Sequence, residues 1–374
     1  MERHLNIISF NIPYPADYGG VIDVYYKIKW LFKNGVKVHL HCYEYDREPA
    51  PELEEICSSV QYYRRKTGYR YFMKSSPYIV NTRFSEDLIK NIGYNNYPIL
   101  FEGLHTTSML NHEAFSGRKK IVRTHNVEHN YYNQLADIEK KWSRRIFFRK
   151  EAVKLERHER ILVVADGIAA ISPNDCGYFN DKYKKATFIP AFHPNDKVKC
   201  KEGRGNYILY HGNLSVGENV KAANYLIECV FSKLKGIPVK IAGKNPDKSI
   251  FINATKHLRD YEIVSNPTHE RMNDLIENAH INILPTFQST GIKLKLLAAL
   301  FSGRHCIVNK DMVDNTGLQD LCSVKDTPDD MIKEINRLFH ITFTHMQIES
   351  RTEKLNFVFS NQINADKIID LIYS

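Results

Sequence analysis

The sequence predicts an α/β protein built from two successive doubly wound, Rossmann-like domains facing a central cleft. Three observations lead there. At 374 residues the chain exceeds one ordinary hydrophobic core, and usual domain sizes suggest two of roughly 180 residues. Short apolar runs alternate with helical periodicity in both halves, as a parallel sheet with crossover helices requires. Between the halves, residues 193–206 read HPNDKVKCKEGRGN, polar and without an apolar period, as an interdomain linker does. The expected division is therefore residues 1–192, the linker 193–206, residues 207–356 and a closing helix over 357–374.

Taken in order, Leu5–Phe10 is apolar enough for a buried strand. Val21–Lys33 follows as a helix stopped by Asn34-Gly35, and Val36–Tyr43 is the next strand. Further strands are expected at Val60–Tyr63, Pro98–Glu102, Lys120–Thr124, Gly167–Ser172 and Thr187–Pro190, with helices between them. The alternation restarts after the linker, with strands at Tyr207–Tyr210, Val239–Ala242, Glu262–Val264, Ile281–Leu284 and His305–Val308. Helices fall near Asn219–Phe231, His269–Ala279, Lys293–Phe301, Asp329–Leu338 and Phe357–Tyr373, and no repeat or low-complexity tract is visible.

A hydrophobic share of 43% with 11% aromatics supplies both cores and argues against extensive disorder. The seven cysteines are odd in number, scattered and never in a CxxC pair, which disfavours a disulfide framework or zinc and fits a reducing compartment. The first apolar run is short and stopped by Pro13, and no later segment approaches a membrane span. A cytoplasmic protein is expected, with the inner membrane face as a further location. The net charge of +9 calls for an anionic partner. Its densest source is residues 140–160, where Trp142, Ile146 and Val153 share one stripe of a basic helix. Such a helix can lie on an anionic membrane as a peripheral contact; equally, it can pack on its own sheet with a charged outer face. No zinc-finger spacing, RNP-like segment or helix-turn-helix signal suggests nucleic acid.

Ligands of doubly wound sheets sit beyond the carboxyl ends of the strands, and that rule selects the loops. After the first strand, residues 11–20 carry Asp17 and end in Gly19-Gly20, which lets backbone approach an anion at a helix start; the alternative is a flexible turn. GxGxxG is absent. The fifth strand ends in Thr124-His125-Asn126-Val127-Glu128-His129, two imidazoles, an amide and a carboxylate. They meet a ligand, or they form a polar cluster in which Asn126 caps the next helix and Glu128 occupies its first turn. His125 and Glu128 are the candidate catalytic groups, with Glu102 and His105 as secondary candidates. No metal site is expected. In the second half, His211-Gly212-Asn213 with Asn219, and the glycine loop at Gly243, belong to the cleft wall. Ser289-Thr290-Gly291 then opens a helix bearing Lys293 and Lys295. Its free N–H groups, dipole and two ammoniums suit a nucleoside diphosphate; the alternative is an N-cap, a turn glycine and a solvated lysine face.

Together these pieces resemble glycosyltransferases of the GT-B fold, in particular the family 4 group. The segments concerned are PYPADYGG, THNVEHNYY, ERILVVADGIAAISPND, YHGNLSVGENVKAANYL, VKIAGKNP and GIKLKLLAALFSGRHCIV, which cover nearly the whole chain. The resemblance implies a nucleotide sugar as substrate and transfer across the cleft to a glycan or lipid-linked acceptor on the N-terminal side, with retention of configuration, no cofactor and no obligatory metal. It places Gly19, Gly20, Gly212, Asn213 and, on the later helix, Gly291, Lys293 and Lys295 at the donor, and His125 near the transferred sugar. It also implies a final helix returning to the N-terminal domain. Two departures stand out. Ala298 and Thr290 occupy positions where the family usually carries glutamates, so the usual carboxylate for the ribose hydroxyls is missing, at a cost on the order of 1–3 kcal/mol of donor binding. Two other readings are a catalytically silent GT-B protein that binds a partner or glycan, and a sugar-nucleotide epimerase of the same fold.

Overall fold

The computed structural model describes residues 2–287 and 293–374. Its contacts divide the chain into two compact units, Met1–Pro194 with Phe359–Ser374, and Asn195–Val358. Among the described residues each unit holds one all-parallel sheet.

The first sheet comprises β1 (Arg3–Ser9), β2 (Val36–Glu44), β3 (Ser59–Arg64), β4 (Ile99–Glu102), β5 (Lys120–Thr124), β6 (Gly167–Ala170) and β7 (Ala186–Phe188). Their order is β3-β2-β1-β4-β5-β6-β7, so the winding reverses between β1 and β4, where a crevice opens in such sheets. Side chains alternate across the sheet. Ile7, Leu40 and Leu100 join Val24 and Ile28 of the helix Gly19–Lys33 in one core cluster. Ile8, Phe101 and Val122 join Leu155 of the helix Trp142–Glu159 in the other. Each such buried side chain contributes about 1.5–3 kcal/mol.

The closing helix is Asn361–Tyr373, not Phe357–Tyr373. A separate helix, His345–Val358, precedes it, and the chain breaks between them because the Ser360 side chain caps the new helix by accepting from Ile363 N. Asn361 holds the break with two bonds to the backbone of His193, at 3.2 and 2.8 Å. Ile368 and Ile372 then enter the core beneath β1 and β2.

The second sheet has β8 (Ile208–Asn213), β9 (Val239–Lys244), β10 (Tyr261–Ser265), β11 (Ile281–Ile283), β12 (His305–Val308) and β13 (Ser323–Val324), in the order β10-β9-β8-β11-β12-β13. With two residues, β13 is too short to show a period. The helix expected at Asn219–Phe231 is Gly217–Tyr225, widened into a π-turn over Leu226–Val230.

Candidate functional site

In the first unit a charged network lies under the carboxyl end of the sheet. Asp23 and Lys27, one turn apart on the helix Gly19–Lys33, pair at 2.9 Å, and Lys27 Nζ also reaches Glu102 Oε1 at 2.8 Å. Arg123 of β5 donates to both oxygens of Asp23, at 2.9 and 3.2 Å, and to the carbonyls of Ile189 and Pro190. All four side chains are fully buried. Burial alone would raise the Asp23 carboxyl, but Arg123 and Lys27 hold it far below the usual range. The two cations balance the two carboxylates, which is the condition for burying charge at all.

His125 stands at the outer end of this network, 8% exposed. Its Nε2 is 3.2 Å from Glu102 Oε2 and 3.8 Å from Asp23 Oδ2, and its ring meets Phe10 edge-on at 5.4 Å. The opposite nitrogen, Nδ1, faces the start of the helix: a Cβ on Gly20 would lie 3.6 Å from it and only 2.8 Å from Phe10. Gly20 is therefore required by close packing of Phe10 and His125 onto the helix N-terminus. Asp23, Glu102 and His125 each present one potential metal-ligand atom within 4.8 Å of the others, but Lys27 and Arg123 already engage both carboxylates.

Beside this network is a second polar group. Glu128 is the first residue of the helix Glu128–Ile138, whose N-cap is Val127 with no side-chain cap, so Asn126 does not cap it. Burial raises the Glu128 carboxyl to about 8, against a smaller pull from Asn126. Its Oε1 lies 4.0 Å from His105 Nδ1, and neither atom has a hydrogen-bond partner; nor do Thr124 Oγ1 and Asn126 Oδ1. Orphaned buried polar atoms are rare, and here they gather at one strand end. His129 has a different job: its Nδ1 is 3.3 Å from Glu159 Oε2, tying the helix Glu128–Ile138 to the helix Trp142–Glu159. Asp17 forms an ion pair with Arg47, whose Nη1 also donates to Pro15 O at 2.6 Å, so it anchors its loop.

In the second unit, Asn219 organises the end of β8. Its Nδ2 donates to Asn213 O at 3.0 Å and its Oδ1 accepts from Lys295 Nζ at 2.9 Å. A Cβ on Gly212 would crowd the Asn219 side chain at 3.3 Å. Asn213 Oδ1 accepts from Ser215 N and Oγ and shapes the turn. Burial brings the Lys295 ammonium down to about 8, with Glu218 drawing it up and Lys293 pushing it down. Burial also lowers Lys293, opposed by Glu218. His211, held to about 3 by burial and then by Lys295, is a neutral imidazole with an unpartnered Nε2.

Several expectations are corrected. Gly243 is not in a loop but inside β9, register partner of Gly212. A Cβ there would fall 1.9 Å from Gly212 O, so the residue allows strand contact. Thr290 and Gly291 lie outside the described residues. Ala298 packs with Val264 and Met272 against a small apolar cluster around Tyr207 and Leu275. Sequence reading passed over Asp23 and Lys27, although an i, i+4 acid and lysine inside the apolar face Val21, Val24, Ile28 and Leu31 were a usable signal. It also passed over Glu218, which takes a hydrogen bond from Thr286 and is the carboxylate beside the lysine pair.

Residues 205–340 match the family model described as glycosyl transferases group 1. TarM superposes with a TM-score of 0.69 at 10% identity, covering 100% of this chain and 99% of that one. A lipopolysaccharide outer core galactosyltransferase, WaaB, superposes with a TM-score of 0.60 at 14% identity, over 97% and 99%. The S. aureus TarM G117R mutant in complex with fondaparinux, alpha-GlcNAc-glycerol and UDP gives 0.56 at 12% identity, over 77% of this chain and 57% of that chain. In sequence, an uncharacterised 44.6 kDa protein in the cps region of Klebsiella pneumoniae is 25% identical over 311 residues, 79% of each chain. The superpositions show a GT-B fold, the fold of these glycosyltransferases. Within that fold, the segment 205–340 of the second unit is the part that resembles the group 1 glycosyl transferases in sequence.

Proposed function

We propose that the protein moves a sugar from a nucleoside diphosphate donor to a glycan or lipid-linked acceptor during assembly of a capsule-type polysaccharide, with retention and without an obligatory metal. The observation that carries this reading is the half-buried Lys295 ammonium, fixed by Asn219 beside Lys293 at the end of β8. Desolvated cations there would neutralise the departing diphosphate with no reorganisation, a task otherwise given to a metal ion. Glu218 is the acidic group next to the pair. In the first unit, His125, oriented by Glu102, would meet the transferred sugar, and the cps-region relative supports the polysaccharide context.

The same reading places the protein at the cytoplasmic membrane face. Trp142 is 76% exposed, and Ile146 and Val153 are exposed on the same stripe, so this stripe does not pack on the sheet; the helix instead buries Ala152 and Leu155. Lys140, Lys141, Arg144 and Arg145 surround the apolar stripe with positive charge, which matches an anionic lipid surface.

Calorimetry and thermal shift against a panel of nucleoside diphosphates test the donor site. One nucleotide should bind at micromolar concentration, and Lys295→Ala should weaken it tenfold or more, roughly one charge-assisted contact. His125→Ala should keep that binding and lower turnover by about 10²–10⁴. No binding across the panel overturns the reading. Binding without any turnover favours a silent GT-B protein, with Ala298 as the specific residue in its support.

A further inference from the structure

Arg83 is 5% exposed, yet among the described residues its guanidinium pairs with no carboxylate. Its Nε donates to Phe10 O at 2.9 Å and its Nη1 to Ile79 O at 2.7 Å, carbonyls that hold the group without neutralising it. Arg65 lies beside it, donating to Thr82 Oγ1 at 3.2 Å and stacked 4.1 Å above the Tyr45 ring. Among the described residues neither arginine forms an ion pair with a carboxylate. Burial and then the field of Arg65 lower Arg83 to about 9, which leaves it charged at neutral pH. The nearest titratable groups do not compensate. Burial and the Arg83 charge keep His105 well below its usual value, hence neutral. Glu128, raised to about 8 by burial, is largely protonated. Tyr18, Tyr43 and Tyr132 complete the surroundings felt by Arg83. A buried charge with no counter-ion is costly and rare; Arg83 is one, the partly buried Arg65 adds a second positive charge beside it, and both lie next to unpartnered atoms of His105 and Glu128.

We propose that Arg83 and Arg65 bind an oxyanion carried by the acceptor, the carboxylate of an acidic sugar or a phosphate, while His105 and Glu128 hydrogen-bond its neighbouring hydroxyls. This deepens the glycosyltransferase reading and rests on the first unit being the acceptor half. Arginine forks suit planar or tetrahedral oxyanions. Arg65 also lines a groove of about 760 Å3 with Arg64, Lys66 and Arg70, against which stand the carboxylates Glu86 and Asp87, so a net positive surface continues outward from Arg83, as an acceptor with repeated negative charge would use.

The test is calorimetric, with the full chain saturated by the nucleoside diphosphate that the panel selects. Probes are a glucuronate-containing tetrasaccharide, its carboxyl-reduced counterpart, farnesyl phosphate and farnesol. At least one anionic probe should bind tenfold or more tightly than its neutral partner. Arg65→Gln and Arg83→Lys should each erase most of that preference while nucleotide affinity stays constant. Preference for the tetrasaccharide assigns an acidic sugar; preference for farnesyl phosphate assigns a lipid-linked phosphate. Because Arg83 also ties Phe10 and Ile79, the less buried Arg65→Gln is decisive if Arg83→Lys unfolds. Equal binding of charged and neutral probes, binding of neither anion, or a preference unchanged in Arg65→Gln overturns the inference while nucleotide binding stands. Failure of the wild type to bind any nucleotide instead strikes the broader reading.

Discussion

Lys27 Nζ lies 2.9 Å from Asp23 and 2.8 Å from Glu102, so one buried ammonium joins the first helix to the strand that orients His125. The remaining oxygen of Glu102 is the one that faces His125 Nε2. Stability and site geometry are therefore coupled through a single side chain, and a change at Lys27 should move the imidazole without touching it.

Glu102→Gln removes the charge on which Lys27 and His125 both converge. Breaking a buried pair from one side costs about 3–5 kcal/mol, because the partner is left uncompensated. Lys27→Met should cost a similar amount. The double variant should be markedly more stable than the sum of the two losses predicts, as for residues in one network. Urea unfolding of the four proteins measures this; strict additivity would show that Lys27 and Glu102 do not act as a unit.

Lys295 predicts opposite pH trends for binding and folding. Its ammonium, near 8 in the folded chain, is protonated below that value and neutral above it, whereas the unfolded lysine stays charged to about 10.4. Between these values the unfolded chain holds more protons, so this group adds stability as pH rises. Anion binding needs the charged form. Nucleotide affinity should fall on the order of tenfold from about pH 7.5 to about pH 9.5, and calorimetry across that range should show it. Lys295→Arg, charged throughout, should flatten the curve.

The fold was legible because parallel strands buried on both faces are nearly continuous apolar runs, and Ile99–Glu102 and Gly167–Ala170 carry that signal over nearly their whole length. The two-residue β13 and the break at Ser360 lacked it, the first through shortness and the second because one capping hydroxyl decides it. At the site, strand-end polar residues such as His125 and Glu128 were conspicuous against apolar neighbours. Arg83 was not. Its significance lies in the missing carboxylate, and absence of a tertiary partner cannot be read from a local window. Gly243 shows the reverse: a glycine after a strand suggests a ligand loop, but the demand came from Gly212 O on the next strand.

Gly243→Ala should therefore act on stability. The added methyl would stand 1.9 Å from Gly212 O and 2.7 Å from Leu214 Cγ, forcing β8 and β9 apart at a cost of about 3 kcal/mol. Gly217 is the control, since a Cβ there meets nothing within 4 Å and its φ is not positive. Gly217→Ala should be neutral or stabilising by about 0.4–1 kcal/mol. Thermal melts of the two variants should separate by roughly 6–15 °C for a unit of this size; coincident melts would contradict the close strand contact.

The exposed stripe Trp142, Ile146 and Val153 gives the last prediction. A helix held in the interface gains from apolar burial and from attraction of nearby lysines and arginines to anionic lipid, the latter about 1 kcal/mol per cation at low salt. The two contributions respond to different changes. Trp142→Glu removes an apolar anchor worth about 1.5–3 kcal/mol, so binding to phosphatidylglycerol vesicles should weaken roughly 10–100-fold. Raising salt should weaken the wild type by screening and reduce the part of the Trp142→Glu effect that comes from its added negative charge, but leave the apolar part of that effect in place. Vesicles of phosphatidylcholine alone should bind poorly. Since Trp142 is exposed and far in sequence from the donor lysines, nucleotide binding should not change. Cosedimentation with both vesicle types distinguishes the cases. Equal binding to neutral and anionic vesicles, or no loss in Trp142→Glu, would mean that the basic helix does not rest on lipid, and its exposed stripe would need another partner.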